Sequence, residues 1–571
     1  MNPLLEPARH RVLWSALSGA VLAFALPTVF PIVGKSEILP GGQLTVLAYF
    51  ALVPFLVAVQ GATPRARFGL GVLAALSYYT VAIWWVYVAM HSFGGIPTGL
   101  AIPVLYLLLG YLSVYWGLSL VLDHDIRANF PRLPQWLVLP AAFTGFELVR
   151  NYLFSGFPWG NLGYLLVRDS GEAQWASLFG VYGLAFIVML TNSALAAIWR
   201  GEGRKWALVA LACALIVPRV YGAAKGAFFA PRAQDALKIA LIQGNIDQKI
   251  KNAAKGGQMS AQEYRDFVLN RYLPLSREAD AQGVDLIIWP EASFPGALPL
   301  HPTQFPDVLG PPFHAELLIG GVTAGRQEGR LLLTNSGFAI GPDRQVLAEY
   351  DKHHLVPFGE YVPLEKSLHL PIHKVVPDIG FFDPGETLNL IDVPSRAGRA
   401  RFGPMICFDA IFPEIGVELS RQDPDFLVNI TNDAWYGFSS ASYQFLSMVA
   451  LRAIETGKPI ARAANTGISA FIDSHGRIQQ FLPIGLIDSE DAELGADRAL
   501  PPQMLIGEVP LTKGRTPYVV IGDTFAYLCG LAALVAWILA KRPRPDRSLA
   551  PPPAPAKRAR NASRRTSRQA R

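Results

Sequence analysis

The stretch Arg401-Phe-Gly-Pro-Met-Ile-Cys407-Phe-Asp-Ala-Ile-Phe-Pro413 contains an apolar run that ends in a cysteine and precedes a helical pattern. Two earlier segments have a similar form. Val284-Asp-Leu-Ile-Ile-Trp-Pro-Glu291 ends in a carboxylate, and Val346-Leu-Ala-Glu-Tyr350 is followed by Lys352. Short apolar runs of this kind are typical of buried strands. Because layered α/β folds place chemistry at strand ends, the three runs predict one shared site.

Glu291, Lys352 and Cys407 together have the chemistry of a nucleophilic site. A thiol needs a base to become a nucleophile, and the tetrahedral intermediate needs a positive charge or hydrogen-bond donors beside its oxygen. Each residue alone also has a plainer interpretation. Glu291 would be a turn or cap residue, Lys352 part of a solvated loop, and Cys407 a buried structural thiol. The combination favours catalysis.

The remaining cysteines and the histidines do not make up a metal site. Cys213 and Cys529 fall in apolar runs, where a thiol usually packs as a small hydrophobe. Three dispersed cysteines provide neither a disulfide framework nor zinc-binding spacing. His353 and His354 are a weak metal signal, because no further ligands follow at useful spacing. We therefore predict no metal and no cofactor.

Residues 231–512 are mostly polar and alternate β-rich runs with helical patterns near 260–282, 414–421 and 440–456. This alternation predicts a layered α/β domain with a central sheet.

The rest of the chain is apolar enough for a membrane protein, with 51% hydrophobic and only 16% charged residues overall. Crossing about 30 Å of hydrocarbon takes roughly 20 apolar residues. Eight stretches approach this length, of which the second and seventh are short. They are 12–34, 44–59, 68–90, 97–122, 135–153, 174–199, 206–220 and 517–540. A cleaved signal peptide is an alternative for the first stretch because arginines precede it, but the stretch is longer than such apolar cores and lacks an obvious cleavage site.

Basic residues in the short loops predict the orientation, because Lys and Arg resist translocation. With a cytoplasmic N-terminus, nine Lys and Arg lie in inner segments and only Lys35 and Arg168 lie in outer short loops. We therefore expect a membrane domain over 1–230 with seven helices, an extracytoplasmic domain over 231–512, an eighth helix over 513–541 and a cytoplasmic tail over 542–571.

The tail explains the basic isoelectric point. Residues 541–571 carry 11 of the 50 Lys and Arg and one acid, a net +10 against +6 for the whole chain, which leaves −4 for the remainder. Its Pro-, Ala- and Arg-rich composition predicts disorder and contact with anionic lipid headgroups. Nothing else in the chain supports nucleic-acid binding.

Three segments resemble the nitrilase superfamily and, within it, the apolipoprotein N-acyltransferase family. They are Trp-Pro-Glu-Ala-Ser at 289–293, Asp-Lys-His-His-Leu-Val-Pro-Phe-Gly-Glu-Tyr-Val-Pro at 351–363, and Asn-Ile-Thr-Asn-Asp-Ala-Trp-Tyr-Gly at 429–437. The resemblance implies an αββα sandwich that faces the periplasm, flanked by seven membrane helices before it and one after it. The count of eight apolar stretches gives the same arrangement independently.

The same resemblance implies roles for individual residues. Glu291 would be the general base, Cys407 the nucleophile, and Lys352 the cation that stabilises the oxyanion. Family site positions also fall on a second set of residues, for which packing is the alternative interpretation. This set is Glu360, Asn335, Trp435 and Tyr361.

The chain departs from the family pattern at two places. Phe408 and Asp409 stand where many relatives have Tyr and Glu; Asp409 keeps the charge but its side chain is one methylene shorter. Asn252 stands where a Trp is expected, so the indole that would contact lipid there is replaced by an amide.

The outer loop, which we define as Gly-Phe-Pro-Trp-Gly-Asn-Leu-Gly-Tyr at 156–164, resembles the family's membrane-side approach to the site. An aromatic belt at a helix end explains it equally well. Glu147 and Arg150 just before it would pair with each other, bind a headgroup, or extend to the interface.

The resemblance implies acyl transfer from a membrane phospholipid to the N-terminal amine of a diacylglyceryl-modified apolipoprotein, through a Cys407 thioester. The protein would be a monomer in the bacterial inner membrane, without a nucleic-acid partner. One alternative is a membrane-tethered amidase of nitrilase type that uses water as acceptor. A noncatalytic scaffold or transporter is another, which the triad and the absence of paired broken helices in the sequence disfavour.

Overall fold

A computed structural model of the chain describes residues 8–27, 44–168, 170–228, 235–361, 381–395, 398–485 and 500–542. Most of the basic tail, from 543 onward, lies outside the described residues. So do part of the first apolar stretch and residues 362–380.

The first 228 residues contain helices and no strand within their described part. Short 3₁₀ or π turns at Thr45–Tyr49, Ala89–Phe93, Leu153–Ser155 and Leu162–Leu166 connect the α-helices. The α-helices are α1 Ala8–Ala23, α2 Val53–Ala58, α3 Pro64–Ala82, α4 Trp85–Val88, α5 Thr98–Asn129, α6 Gln135–Tyr152, α7 Ser170–Ala173, α8 Ala176–Arg200 and α9 Arg204–Phe228.

Each of the eight apolar stretches contains helix, but the count of eight crossings stays a prediction. Four described helices are long and apolar enough to span a membrane: α5, α8, α9 and a C-terminal helix at Thr524–Lys541. Helices α3 and α4, which cover the third stretch, would make a fifth if this pair, bent by 55°, is one span. The second stretch folds as two short helical pieces, and α6 has only 18 residues with an internal Pro140.

From Ala236 to Pro510 the described chain forms thirteen strands in two sheets. The first sheet has the order β13-β1-β2-β4-β5-β6, with β3 paired to β4, and the second has the order β12-β11-β10-β9-β8-β7. The strands are β1 Ala236–Gln243, β2 Leu286–Ile288, β3 Ala297–Leu298, β4 Glu316–Gln327, β5 Arg330–Ile340, β6 Val346–Asp351, β7 Ile391–Ser395, β8 Gly398–Ile406, β9 Phe426–Thr431, β10 Ile460–Ala464, β11 Ser469–Ile472, β12 Ile478–Leu482 and β13 Gln503–Pro510.

Helices cover the outer face of each sheet, which gives four layers. Helix α11 (Ala261–Ala281), preceded by the short α10 (Gln248–Lys255), packs on the first sheet. Helices α12 (Pro413–Arg421) and α13 (Ser440–Thr456) pack on the second, and the two sheets face each other. The three predicted helical patterns and the layered α/β arrangement are confirmed. Instead of one central sheet, however, the core has two, so that the central strands are buried from both sides.

The boundaries of these helices follow from local sequence. Ser260 begins α11 with a capping box, in which its hydroxyl accepts from the Glu263 amide and the Glu263 carboxylate accepts from the Ser260 amide. Helix α13 is preceded by Ser439, whose hydroxyl accepts from the Ala441 amide, and is followed by Gly457 with φ +70°. A left-handed residue at this position stops a helix, and glycine adopts it without strain.

The last described elements are the short helix α14 (Pro517–Ile521) and the apolar helix α15 (Thr524–Lys541), which returns to the N-terminal helices. Gly145 on α6 faces Gly530 on α15, and a Cβ added to Gly145 would lie 2.5 Å from the Gly530 Cα. Small residues of this kind allow membrane helices to approach closely. Helix α13 of the sandwich packs against α8, so the sandwich is in direct contact with the helical part.

Candidate active site

Three strand ends bring the predicted residues to one end of the sandwich. Glu291 lies just beyond β2, Lys352 directly follows β6, and Cys407 directly follows β8. The first two strands belong to one sheet and β8 to the other, so the residues meet between the sheets. All three side chains are buried.

The Lys352 ammonium joins two carboxylates. Its Nζ lies 3.1 Å from Oε1 of Glu291 and 2.8 Å from Oε1 of Glu360. Asn335, on the middle of β5, donates through Nδ2 to the same two oxygens, at 2.8 Å to Glu291 and 3.1 Å to Glu360. The amide of Asn432 donates to the other Glu291 oxygen, Oε2, at 2.8 Å. The base candidate is therefore held by three separate donors.

These contacts decide the charge of the pair. Burial alone would lower the pKa of Lys352, but the carboxylates of Glu291 and Glu360 outweigh it and hold that pKa well above its ordinary value. Burial would likewise raise the pKa of Glu291, yet Lys352 and the hydrogen-bond donors bring it below its ordinary value. The resting site thus holds an ammonium and a carboxylate.

Cys407 faces this pair as a neutral thiol. Burial raises the pKa of the Cys407 thiol far above its ordinary value, the Glu291 charge raises it further, and the Lys352 charge opposes both. The residue has φ +46°, a left-handed backbone that costs a non-glycine residue about 1–3 kcal/mol. Such strain persists only where surrounding contacts enforce it, and here it turns the chain from β8 into the 3₁₀ turn Cys407–Ile411.

Asp409 holds that turn in place through three hydrogen bonds. Its Oδ2 accepts from the Ile406 amide at 3.0 Å and from the Tyr350 hydroxyl at 3.2 Å, and its Oδ1 accepts from the His354 amide at 2.7 Å. Burial raises the pKa of Asp409 to about 6. Phe408 is buried beside it, with its ring centroid 5.8 Å from that of His354.

The segment after Lys352 places Glu360 in the site and reaches the helical part of the chain. The Glu360 Oε2 accepts from the Val356 amide at 2.8 Å, which fixes the carboxylate beside Lys352. The Tyr361 hydroxyl lies 2.7 Å from Oγ of Ser155, just before the outer loop. Phe358 in the same segment is largely exposed.

The predicted charge pair, Glu147 and Arg150, lies in helix α6 of the helical part, just before the outer loop. Arg150 Nη2 lies 3.9 Å from Glu147 Oε1, and both side chains are buried in α6. Of the three interpretations given above, pairing is the one observed. The same Glu147 oxygen accepts from the Leu162 amide at 2.9 Å, so the pair also holds the outer loop.

No group of three or more His, Cys, Asp and Glu side chains in the described part of the chain is arranged to hold a metal ion. His353 bonds through Nδ1 to the Gly385 carbonyl oxygen at 2.9 Å. His354 stacks on Phe412 at 3.6 Å between ring centroids, and burial lowers its pKa to about 4.

Comparison with known proteins identifies the family of this chain. Residues 18–194 match the model of the apolipoprotein N-acyltransferase N-terminal domain, and residues 238–483 match the carbon-nitrogen hydrolase model. A protein of Geobacter metallireducens named apolipoprotein N-acyltransferase is 36% identical over 547 residues, 94% of this chain and 96% of its own length. This chain belongs to the apolipoprotein N-acyltransferase family.

Further relatives with the same name come from Pasteurella multocida, 32% identical over 86% of this chain and 89% of their own, and from Haemophilus influenzae, 30% identical over the same shares. Among solved structures, Saccharomyces cerevisiae Nit3 of the nitrilase superfamily covers 52% of this chain and 95% of its own, with 16% identity and a TM-score of 0.32. As a member of the apolipoprotein N-acyltransferase family, the chain is an enzyme of the carbon-nitrogen hydrolase superfamily and a membrane protein.

Two predicted positions of this family member lie outside the hydrogen-bonded group. Trp435 is half-buried on the turn Asp433–Tyr436 that follows β9. Asn252, the position at which a Trp was expected, is on α10 and accepts through Oδ1 from Gln248 Nε2 at 3.1 Å.

Sequence reasoning missed four residues that line the site in this chain. Asn432 holds Glu291. Besides burial, the Thr431 hydroxyl lowers the pKa of the Cys407 thiol and the Asp433 charge raises it. Burial raises the pKa of the Tyr436 phenol, and the charges of Cys407 and Asp433 raise it further. All four belong to the segment 429–437 that carried the family resemblance, so the signal was present. The motif alone did not indicate roles for these four residues, because only the parallel pairing of β8 with β9 places the segment next to Cys407.

Proposed function

We propose that this protein transfers an acyl chain from a membrane phospholipid to the N-terminal α-amino group of a diacylglyceryl-modified apolipoprotein. The observation that carries the proposal is the 3.1 Å contact of Lys352 Nζ with Glu291 Oε1 beside the buried Cys407, in a chain of this family. These three residues have the chemistry that covalent acyl transfer needs: a base, a cation and a nucleophile.

In the first half-reaction the Cys407 Sγ attacks the ester carbonyl carbon of the phospholipid. Because the thiol is neutral at rest, its proton passes to Glu291 as the carbon–sulfur bond forms. Lys352 stabilises the oxyanion, and its contact with Glu360 keeps it positioned after Glu291 becomes neutral. The carbon–oxygen ester bond then breaks, and the proton returns from Glu291 to the departing lysophospholipid oxygen. A thioester remains on Cys407.

In the second half-reaction the amine of the apolipoprotein attacks the thioester carbonyl. Glu291 accepts the amine proton, Lys352 again stabilises the oxyanion, and the carbon–sulfur bond breaks. Proton transfer from Glu291 returns Cys407 to the neutral thiol, and the product is an N-acyl lipoprotein. No external energy source is required, because an ester linkage is exchanged for an amide.

The proposed setting is the bacterial inner membrane, with the sandwich on the periplasmic side. Residues 1–230 and 513–541 would form the membrane domain, residues 231–512 the catalytic domain, and 542–571 a cytoplasmic tail. Confining both lipid substrates to the bilayer spares the acyl chain from crossing water and aids its encounter with the site. The apolar helices and the contact of Tyr361 with Ser155 support this arrangement. We propose that one chain suffices.

The deciding experiment is the mass of the Cys407 peptide after the purified protein is incubated with phospholipid alone. We expect one added acyl chain, released as an N-acyl peptide when a diacylglyceryl-cysteine peptide is supplied. Cys407→Ala is expected to abolish both, whereas the matched variants Cys213→Ala and Cys529→Ala are expected to retain them. Absence of an acylated Cys407 peptide would overturn the proposal. Release of free fatty acid in place of N-acyl peptide would favour the amidase alternative.

A further inference from the structure

A row of buried polar side chains next to Cys407 has no role in the mechanism above. Strands β8 and β9 are parallel neighbours with Ile406 opposite Ile430, so Cys407 and Thr431 occupy adjacent strand ends. After burial and the charges of Glu291 and Lys352, the Thr431 hydroxyl also acts on the Cys407 thiol and lowers its pKa. Thr431 itself is fully buried.

The far side of Thr431 is held by an ion pair. Its Oγ1 donates to Asp433 Oδ1 at 2.8 Å, and Asp433 Oδ2 accepts from Arg462 Nη2 at 2.9 Å. Arg462 is itself buried, with Nε bonded to the Ile468 carbonyl oxygen at 3.1 Å and the guanidinium 4.3 Å from the Phe445 ring centroid. The acceptor for Thr431 is thus fixed in position.

A hydroxyl has one proton to donate, so Thr431 can donate a hydrogen bond to Asp433 or to the Cys407 sulfur, but not to both at once. While Cys407 is a neutral thiol, the Asp433 carboxylate is the stronger acceptor, which agrees with the 2.8 Å bond. A thiolate is an acceptor with a full charge in the same dry pocket, where a charge-assisted hydrogen bond is strong. Turning the O–H exchanges the bond to Asp433 for a bond to the sulfur at the adjacent strand end.

We propose that Thr431 is a further catalytic residue, whose hydroxyl donates to Asp433 in the resting enzyme and to Cys407 Sγ whenever the thiolate forms. The proposal deepens the function given above and rests on Cys407 being the nucleophile. The Cys407 proton still goes to Glu291, and the Thr431 proton stays on its own oxygen. Asp433 and Arg462 are positioning residues, since they act through Thr431.

Electrostatics explains why the Asp433 acceptor is itself paired. A bare carboxylate so close to the thiol disfavours the thiolate, and the Asp433 charge does raise the pKa of Cys407. Arg462 offsets that charge and continues to hold Oδ2 when Oδ1 loses the Thr431 proton. The backbone also makes room for this carboxylate, because a Cβ on Gly467 would lie 1.9 Å from Asp433 Oδ2.

The test compares Thr431→Val, which removes the hydroxyl and keeps the shape, with Thr431→Ser, which keeps the hydroxyl. In full-length detergent-solubilised protein, the alkylation rate of Cys407 by iodoacetamide at pH 7–9 reports its thiolate fraction. Peptide mass spectrometry separates it from Cys213 and Cys529. We expect Thr431→Val to lower both this rate and the acylation rate of Cys407 by phospholipid about 10- to 100-fold. Thr431→Ser should remain near the unsubstituted enzyme.

A purely structural role for Thr431 gives a different result, because loosened packing exposes the thiol and speeds alkylation. Faster or unchanged alkylation in folded Thr431→Val, or equally slow reaction in Thr431→Ser, would overturn the proposal. Should Thr431→Val not fold, Thr431→Ala provides the same comparison. Failure of the unsubstituted enzyme to acquire an acyl group would refute the proposed function, whereas the alkylation rates would still judge the Thr431 bond on its own.

Discussion

The indole Nε1 of Trp159 donates a 2.7 Å hydrogen bond to Oε1 of Gln444, which links the outer loop to helix α13 of the sandwich. The same oxygen accepts from Trp85 Nε1 at 3.2 Å. The Gln444 Nε2 donates to the carbonyl oxygens of Pro27 at 3.0 Å and Ala82 at 2.8 Å. One buried amide therefore satisfies groups at three breaks in the N-terminal helices: after α1, between α3 and α4, and in the outer loop.

Replacing this amide is expected to loosen the junction. Gln444→Leu leaves two indole N–H groups and two carbonyl oxygens without partners in a buried site, and each such loss costs about 1–3 kcal/mol. We expect a loss of about 4 kcal/mol or more in stability, measured by thermal or denaturant unfolding in detergent. The matched change Gln480→Leu, at an exposed position on β12, is expected to have no measurable effect. Equal unfolding of the two variants would contradict the assigned contacts.

The two carboxylates on Lys352 are expected to differ in importance. Glu291→Gln removes the proton acceptor and should abolish formation of the Cys407 acyl-enzyme. Glu360→Gln keeps an oxygen for Lys352 but removes a charge and the acceptor for the Val356 amide, so we expect a loss of about 10- to 100-fold. Single-turnover acylation measured by mass spectrometry distinguishes them. Glu278→Gln, on the exposed face of α11, is the control. A larger loss in Glu360→Gln would reverse the proposed roles.

Asp409 is expected to give the enzyme a pH-dependent stability. Its pKa of about 6 exceeds the ordinary value for an aspartate, so the folded chain binds this proton more tightly than the unfolded chain. The contribution of protonated Asp409 to the free energy of unfolding is therefore fully present below about pH 4. It amounts to about 3 kcal/mol and is lost as the pH rises through about 6. Burial raises the pKa of Glu414 and Glu455 to about 7 with the same sign, so the measurement is a difference between two proteins.

The comparison is the unfolding free energy of the enzyme and of Asp409→Asn between pH 4 and pH 8. The variant is less stable throughout, since an amide cannot accept from the Ile406, Tyr350 and His354 donors on both sides. Its stability should nevertheless fall less steeply with rising pH. Parallel curves would mean that Asp409 keeps its ordinary pKa.

Local chemistry explains which parts of the site were predictable from sequence. Glu291, Lys352 and Cys407 each end an apolar run or follow it closely, and strand periodicity is readable in one sequence. Helix α13 was predicted to its first and last residue, since Ser439 and Gly457 are strong boundary signals.

Contacts between distant segments were not predictable in the same way. Nothing near Gln444 indicates that its partners lie more than 280 residues earlier, and nothing near Thr431 indicates that it lies at the strand end next to that of Cys407. The predicted single span over 68–90 is bent, because the chain turns at Ile83 and Trp84 to bring Trp85 to the sandwich. Hydropathy measures whether a segment is apolar, and not whether it is straight.

The break in helix α8 provides a last prediction, in which two Gly→Ala changes have opposite effects on the stability of the chain. Gly180 has φ +63° and ψ −168°, a region essentially restricted to glycine, and a Cβ there would lie 2.4 Å from the Tyr518 ring. The break frees the Val181 amide, which donates to Glu455 Oε1 of the sandwich at 2.7 Å. Gly180→Ala should therefore cost at least about 1–3 kcal/mol from the backbone alone and weaken this link.

Gly110, inside the regular helix α5, is the matched position, since no atom outside its own helix lies within 4 Å of an added Cβ. Gly110→Ala should stabilise the chain by about 0.5–1 kcal/mol, because alanine loses less backbone entropy in a helix. Thermal unfolding of both variants in the same detergent checks the pair. A Gly180→Ala protein as stable as the unsubstituted chain would mean that α8 runs straight through this position, and the sandwich would then lose the Glu455 contact to α8.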